Sequence, residues 1–195
     1  MSSALHLPSD VLIARLRALP PPSADEGAVV LVVARPEPGE RTTPARCRLT
    51  PEGGVDGDRW HKRENPSVRS QVTMMRADVA RVVANGQPLS LFGDNLLVEI
   101  DLSPRNLPAG TRLRVGEALC EVTDKPHTGC DKFAARFGAD ARALTTAEAF
   151  LDWRLRGLHV RVIEAGDVAP GDRVRVVWRP GAIAVSDERG SPPAS

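Results

Sequence analysis

The chain is poor in cysteine and in lysine, and it has neither a dominant charge nor a long apolar run. Cys47, Cys120 and Cys130 form an odd set with no C-x-x-C pair, which excludes the dense, even framework of a small disulfide-stapled fold. Such usage fits a reducing cytoplasm. A net charge of +1 offers no general attraction for nucleic acid or an anionic membrane. The longest apolar run, residues 28–34, is far too short to cross a bilayer. Residues 1–8 show no basic stretch leading into an apolar segment, so no secretory signal is expected. No G-x-x-x-x-G-K-[ST] phosphate loop occurs, so nucleotide triphosphate hydrolysis has no support. Lysine is confined to Lys62, Lys125 and Lys132, and every other fixed cation is arginine.

What is present fits a soluble, cytoplasmic globular protein: 195 residues, 42% hydrophobic and 26% charged, enough for one domain with a sizeable core. Ser9 is placed to cap a helix whose apolar positions Leu12, Leu16 and Leu19 recur at helical spacing. Pro20, Pro21 and Pro22 end it, and residues 1–26 read as a helical extension ahead of the domain. Residues 27–179 form the expected body. Residues 180–195, rich in Gly, Pro, Ser and charge, read as a flexible tail. Within the body, strands are expected over 28–34, 69–75, 95–100, 111–115, 118–123, 158–164 and 172–178. A helix is expected over 76–84 with Asn85-Gly86 as its stop, and Thr145 is placed to cap another running to residue 156. The segments 107–115 and 168–176 echo each other as a Pro/Gly turn feeding an alternating strand. Many short strands with few helices predict a mainly β, α+β fold: a small mixed β-barrel with peripheral helices.

Three constellations carry chemistry. The first is Asp124-Lys125-Pro126-His127-Thr128-Gly129-Cys130-Asp131-Lys132, ahead of an apolar stripe of Phe133 and Phe137. It sets Cys130 at a helix start, where unpaired amides and the helix dipole favour a thiolate, with Lys125, Lys132 and His127 adding positive charge. Cys47 and Cys120 lie in alternating strand patterns and read as core thiols. His127-x-x-Cys130 supplies two metal ligands at most, and His6, His61 and His159 are the other histidines available to a four-ligand site. A metal held through Cys130 and completed by a cofactor's own ligands is the remaining form. The second constellation, Gly57-Asp58-Arg59-Trp60-His61-Lys62-Arg63, offers donors for an oxyanion and reads equally well as a glycine-rich turn with a solvated basic rim. The third, Gly93-Asp94-Asn95, is either a turn or a source of hydrogen bonds to a polar ligand.

Taken in order, these pieces resemble the MOSC domain, named after the C-terminal domain of molybdenum cofactor sulfurases, in its stand-alone bacterial type. The matching elements are Gly57-Asp58-Arg59-x-His61, then Phe92-Gly93-Asp94-Asn95-Leu96, then Leu107-Pro108-Ala109-Gly110-Thr111 with Arg114-Val115-Gly116. Val122-Thr123 leads through Pro126 to Cys130, and Arg156-Gly157-Leu158 leads to Gly171-Asp172. The resemblance implies a β-barrel and a role with molybdenum cofactor (molybdopterin) or sulfur. Cys130 would either ligate molybdenum or carry sulfur as a persulfide, supported by His127, Lys125 and Lys132. Arg59, His61 and Arg63 would bind the pterin phosphate, Gly57 and Asp58 would belong to the same cofactor-binding segment, and Asp94 and Asn95 would orient the pterin. Expected partners are a small-molecule cofactor or substrate and a sulfur-donor protein, with no nucleic acid and no membrane. Fused sulfurases draw sulfur from a pyridoxal-phosphate desulfurase domain; this chain has none, so no pyridoxal phosphate site of its own is expected. The rival reading is a non-catalytic barrel module that binds a small anion or a partner protein, with Cys130 structural.

Overall fold

Two apolar cores share one wall, and strand alternation decides which residue enters which. A computed structural model describes residues 6–181 of the 195-residue chain. The first five residues of the extension, and the expected tail from residue 182 onward, lie outside the described residues. In chain order the elements are α1 (Ser9–Arg17), β1 (Glu26–Val32), β2 (Cys47–Thr50), β3 (Gly54–Val55), β4 (Val72–Arg76), α2 (Ala77–Ala84) and β5 (Leu96–Val98). Next come β6 (Arg112–Val115), β7 (Ala118–Val122), α3 (Asp131–Phe137), α4 (Ala139–Leu144), β8 (Leu158–Glu164), β9 (Gly166–Val168) and β10 (Arg173–Trp178).

Seven strands close into a barrel in the order β1-β10-β6-β7-β8-β4-β5, and β3-β2-β9 form a separate small sheet. Strands β4 and β5 run parallel, and the other barrel pairs are antiparallel. This is the mainly β, α+β barrel that the pattern of short strands predicts. The hairpin of β6 and β7 turns on Gly116, whose φ of 54° lies in the left-handed region that glycine enters freely. The two echoing segments become neighbours, with Val115 opposite Val174 and Leu113 opposite Val176.

On β4 and β5 every side chain is buried, because both faces are covered. Met74 and Leu96 point into the barrel with Val72, Val98 and Leu113. Met75 and Leu97, one residue on, point outward into a second core with Phe92, Phe133 and Phe137 from the helical side. Helix α1 belongs to this second core through Leu12 and Leu16, so it packs as part of the body's helical layer.

Local details differ from the sequence expectation in instructive ways. Pro8, not Ser9, takes the N-cap position of α1, and the Ser9 amide donates instead to the Asp140 carboxylate at 2.9 Å. Thr145 follows α4 rather than starting a helix: its hydroxyl donates back to the Arg142 carbonyl at 2.7 Å. The segment Glu148–Trp153 is a 3-10 turn that ends where Arg154 adopts a positive φ of 42°. The strand expected from residue 69 starts at Val72, because Val68–Ser70 forms a 3-10 turn. The helix α2 and its left-handed Asn85 stop form as expected. Because Leu16 is wholly buried, Leu16→Ala is expected to lower unfolding free energy by about 3 kcal/mol, measured by urea denaturation; a loss near zero would show that α1 is only an appendage.

Candidate functional site

Gly57, with a φ of 76°, turns the chain so that Asp58 caps the 3-10 turn Arg59–Lys62 and accepts from the Trp60 amide at 2.9 Å. Asp58 is 1% exposed. Its carboxylate receives Arg35 Nε at 2.6 Å and Asn95 Nδ2 at 3.0 Å. Burial alone would raise the Asp58 pKa; the Arg35 hydrogen bonds and charge, with Asn95 and the Trp60 amide, outweigh it and hold the pKa below the ordinary value. Asn95 donates also to the Val33 carbonyl, and its Oδ1 accepts from Arg35 and Thr73. Both side chains therefore spend their polar atoms inside the fold. Their effect is to fix Arg35.

Arg35 is one of a group of arginines. Burial first, and then the charges of Arg136, Arg35 and Arg59, lower the Arg41 pKa. Burial and the charges of Arg35 and Arg59 likewise lower that of Arg63, against the opposing pull of Asp58. Gly93 permits this crowding: its φ is 71°, and a Cβ there would lie 3.4 Å from Arg41 Nε and 3.8 Å from Arg35 Cδ. Arg41 and Arg136 donate to the carbonyls of Gly39 and Leu91, and Arg41 Nε is buried without an acceptor. Among the described residues, Arg35 with Asp58 is the group's one ion pair. Such an excess of fixed positive charge is suited to a phosphate or another oxyanion.

Beside Asn95, the Asp94 carboxylate is 1% exposed and is met by Arg156 Nη1 at 2.6 Å. Burial would raise the Asp94 pKa, but the charge and hydrogen bond of Arg156, with the charge of Arg35, hold it low. Arg156 Nη2 reaches His127 Nε2 at 3.1 Å. A guanidinium only donates, so Nε2 must accept, and the neutral ring carries its proton on Nδ1. That atom faces Asp94 Oδ1 at 3.6 Å, just outside hydrogen-bond range, and both are otherwise unpartnered. Burial pushes the His127 pKa down to about 3, with Arg156, His159 and Arg35 acting in the same direction and Asp94 opposing. The imidazole is therefore neutral near pH 7, which removes it from the positive charges expected around Cys130. His159 packs against it, with ring centroids 4.6 Å apart, and its Nδ1 donates to the Lys125 carbonyl at 3.1 Å.

The loop from Thr123 to Cys130 is pinned by Asp124, which accepts from Arg69 Nε and Nη2 at 2.7 and 2.8 Å. Cys130 occupies the N-cap of α3, its carbonyl accepting from the Phe133 and Ala134 amides, and its side chain is exposed. Lys125 and Lys132 are exposed as well. A cavity of about 440 Å³ opens beside the loop, lined in part by Lys125, His127, Thr128, Arg154 and Arg156. Cys47 and Cys120 are buried in β2 and β7 as expected, and burial pushes their thiols up to about 11 and about 12.

The structure thus brings Asp58 to Asn95, Arg59 and Arg63 to Arg35, and Asp94 to His127. It does not bring His61 to them: His61 and Gly57 line a separate hollow with Arg48 and Asp56. Arg35, Arg41 and Arg136 do not stand out in the sequence, because an arginine in an arginine-rich chain carries no local signal; His159, one of the histidines available to a metal, packs on His127 instead. Arg156 stands in a segment matched to the family only as a sequence motif. Among the described residues no group of three or more His, Cys, Asp or Glu could hold a metal by itself, and no helix is long and apolar enough to cross a membrane.

Two measurements test this geometry. Iodoacetamide at neutral pH is expected to alkylate Cys130 and spare Cys47 and Cys120 until the chain unfolds, as peptide mass mapping would reveal; equal labelling of all three would contradict the burial. The unfolded chain binds a proton on His127 near pH 6.5, whereas the folded chain refuses it down to about pH 3. Stability from His127 is therefore complete above 6.5 and falls with acidification across that window, by up to about 1.4 kcal/mol per pH unit. His127→Gln should flatten the slope of urea-derived stability against pH; an unchanged slope would show an accessible, ordinary imidazole.

A family model described as the MOSC domain matches residues 67–175, more than half of the chain. A search of curated proteins finds no match. Among solved structures, a hypothetical protein aligns at a TM-score of 0.59 with 20% identity, covering 81% of this chain and 71% of that one. The YuaD protein from Bacillus subtilis aligns at 0.54 with 15% identity, over 77% of this chain and 95% of its own. YiiM from Escherichia coli aligns at 0.52 with 22% identity, over 78% and 70%. These likenesses concern the fold. With the family match covering barrel strands β4 to β8, the first half of β10 and the Cys130 loop, the chain belongs to the MOSC domain family, which is associated with proteins of the molybdenum cofactor.

Proposed function

We propose that this protein handles the molybdenum cofactor and its sulfur, holding the cofactor's phosphate on the arginine group and carrying sulfur as a persulfide on Cys130. The observation that carries the reading is the excess of positive charge at Arg35, Arg41, Arg59, Arg63 and Arg136, balanced by Asp58 alone among the described ion pairs. A bound phosphate would relieve that repulsion and give the buried Arg41 Nε the acceptor it lacks. Helix α3 links the two functions, since Cys130 caps its start and Arg136 near its end bears on Arg41. When bound, the cofactor would supply molybdenum redox chemistry. The chain's own residues bind and orient: Asp58 and Asn95 hold Arg35, while Arg156 holds Asp94 and the neutral His127 ring.

The exposure of Cys130 favours a carrier over a buried metal ligand, because a carrier must meet a donor protein and then a recipient. Its thiolate would attack the outer sulfur of a donor's persulfide. The donor's S–S bond breaks, the donor leaves as a thiolate, and Cys130 keeps the transferred sulfur with no net oxidation. Ligation of molybdenum through Cys130 is the second form of the reading, with the other ligands coming from the cofactor itself.

Both parts are tested on protein purified from a host that makes the cofactor, assayed for pterin, molybdenum and the added mass of one sulfur atom. The persulfide is expected on Cys130 and absent in Cys130→Ala, which keeps the native unfolding midpoint. The double variant Arg41→Ala, Arg59→Ala is expected to retain at least about tenfold less pterin. Undiminished pterin in that variant, or undiminished sulfur loading in Cys130→Ala, would overturn the corresponding part.

A further inference from the structure

The cavity beside the Cys130 loop is chemically two-sided. Pro104, Ala109, Leu151 and Leu158 give it an apolar wall. Lys125 and Arg154 line it with positive charge, and neither forms an ion pair among the described residues. Lys125 Nζ donates to the Ser70 hydroxyl at 3.2 Å, and Arg154 Nη1 to the Leu102 and Leu107 carbonyls at 3.1 and 2.8 Å. The other charges at the cavity are already matched, Asp124 by Arg69 and Arg156 by Asp94. Arg156 is 6% exposed, and its guanidinium lies over the Phe133 ring, 4.9 Å from the centroid.

This balance favours a negatively charged guest, and the aliphatic wall favours one with a carbon frame over an inorganic ion. We infer that the cavity binds a small organic carboxylate, its charge drawn to Lys125 and Arg154 and its carbon frame resting on Leu151 and Leu158. The site is separate from the arginine group around Gly93, none of whose members lines the cavity. Its loop ends at Cys130, and Thr145 in its wall accepts the Gly129 amide at 3.3 Å, so a guest here lies beside the thiol's own segment. The inference deepens the proposed function by naming a substrate class, and it rests on that function only for the sulfur chemistry after binding.

The test titrates the isotope-labelled full chain with benzoate and tracks backbone amide shifts, with neutral benzamide and inorganic phosphate as comparison probes. Benzoate is expected to saturate in the millimolar range and to move the amides of residues 123–128 and 145–158. Benzamide should bind about tenfold more weakly or less, and phosphate should leave these amides unmoved. Lys125 is exposed, so Lys125→Gln should fold normally and weaken benzoate about tenfold. Arg17→Gln, an equal change of charge at an exposed position of α1, should leave binding unchanged. Cys130→Ala should bind benzoate as the native chain does, so that failure of the sulfur chemistry and failure of this site are told apart. Equal binding of benzoate and benzamide, indifference to Lys125→Gln, phosphate shifting the same amides, or no shift with benzoate would each overturn the inference.

Discussion

A buried carboxylate needs a cation, and much of this site depends on where Asp94 is placed. Arg156 meets it at 2.6 Å with both side chains nearly excluded from water. Removing either partner would leave a desolvated charge, a loss of several kcal/mol in comparable buried pairs. The pair also dictates its surroundings. Arg156 turns its second nitrogen to His127 and so selects that ring's tautomer. Gly157 must come next in the chain, because a Cβ there would collide with the Met74 carbonyl at the shared wall of the two cores.

Asn95 extends this order to the next network. It is the neighbour of Asp94, leads into β5, and ties Asp58 and Arg35 to the backbone of β4 through Thr73. One dipeptide, leading directly into the wholly buried β5, thus couples the arginine group to the histidine pair. Rigid positioning of this kind suits binding of a fixed anion. The thiol sits differently, on an exposed helix cap at the end of an irregular loop, where an outside partner can reach it. The division between a fixed group of arginines and an accessible sulfur is what the proposed carrier chemistry rests on.

Much of the fold was legible in advance. The β6 and β7 hairpin follows from alternation on either side of Gly116, the end of α2 from Asn85, and the burial of Phe133 and Phe137 from their spacing. Short elements such as β3, β9 and α4 were missed, because a few residues carry no measurable period. In the site, Cys130 stood out by its polar neighbours. His127 shares that polar setting, but its neutrality is not legible there, because desolvation depends on what packs over the ring. His61 was grouped with Arg59 by adjacency, yet the 3-10 turn points it toward another hollow.

By itself the sequence determined the strand-rich barrel, the family to which its motifs belong, and the identity of its one conspicuous thiol. These depend on local periodicity, turn chemistry and short-range order, all written along the chain. Only the tertiary structure decided that Arg35, Arg41, Arg63 and Arg136 converge with Arg59, and that Asp94 and Asn95 serve opposite partners. The same holds for the neutrality of His127 and for the cavity of about 440 Å³ beside Lys125. Burial and charge pairing are properties of residues far apart in sequence, and they exist only once the barrel has closed.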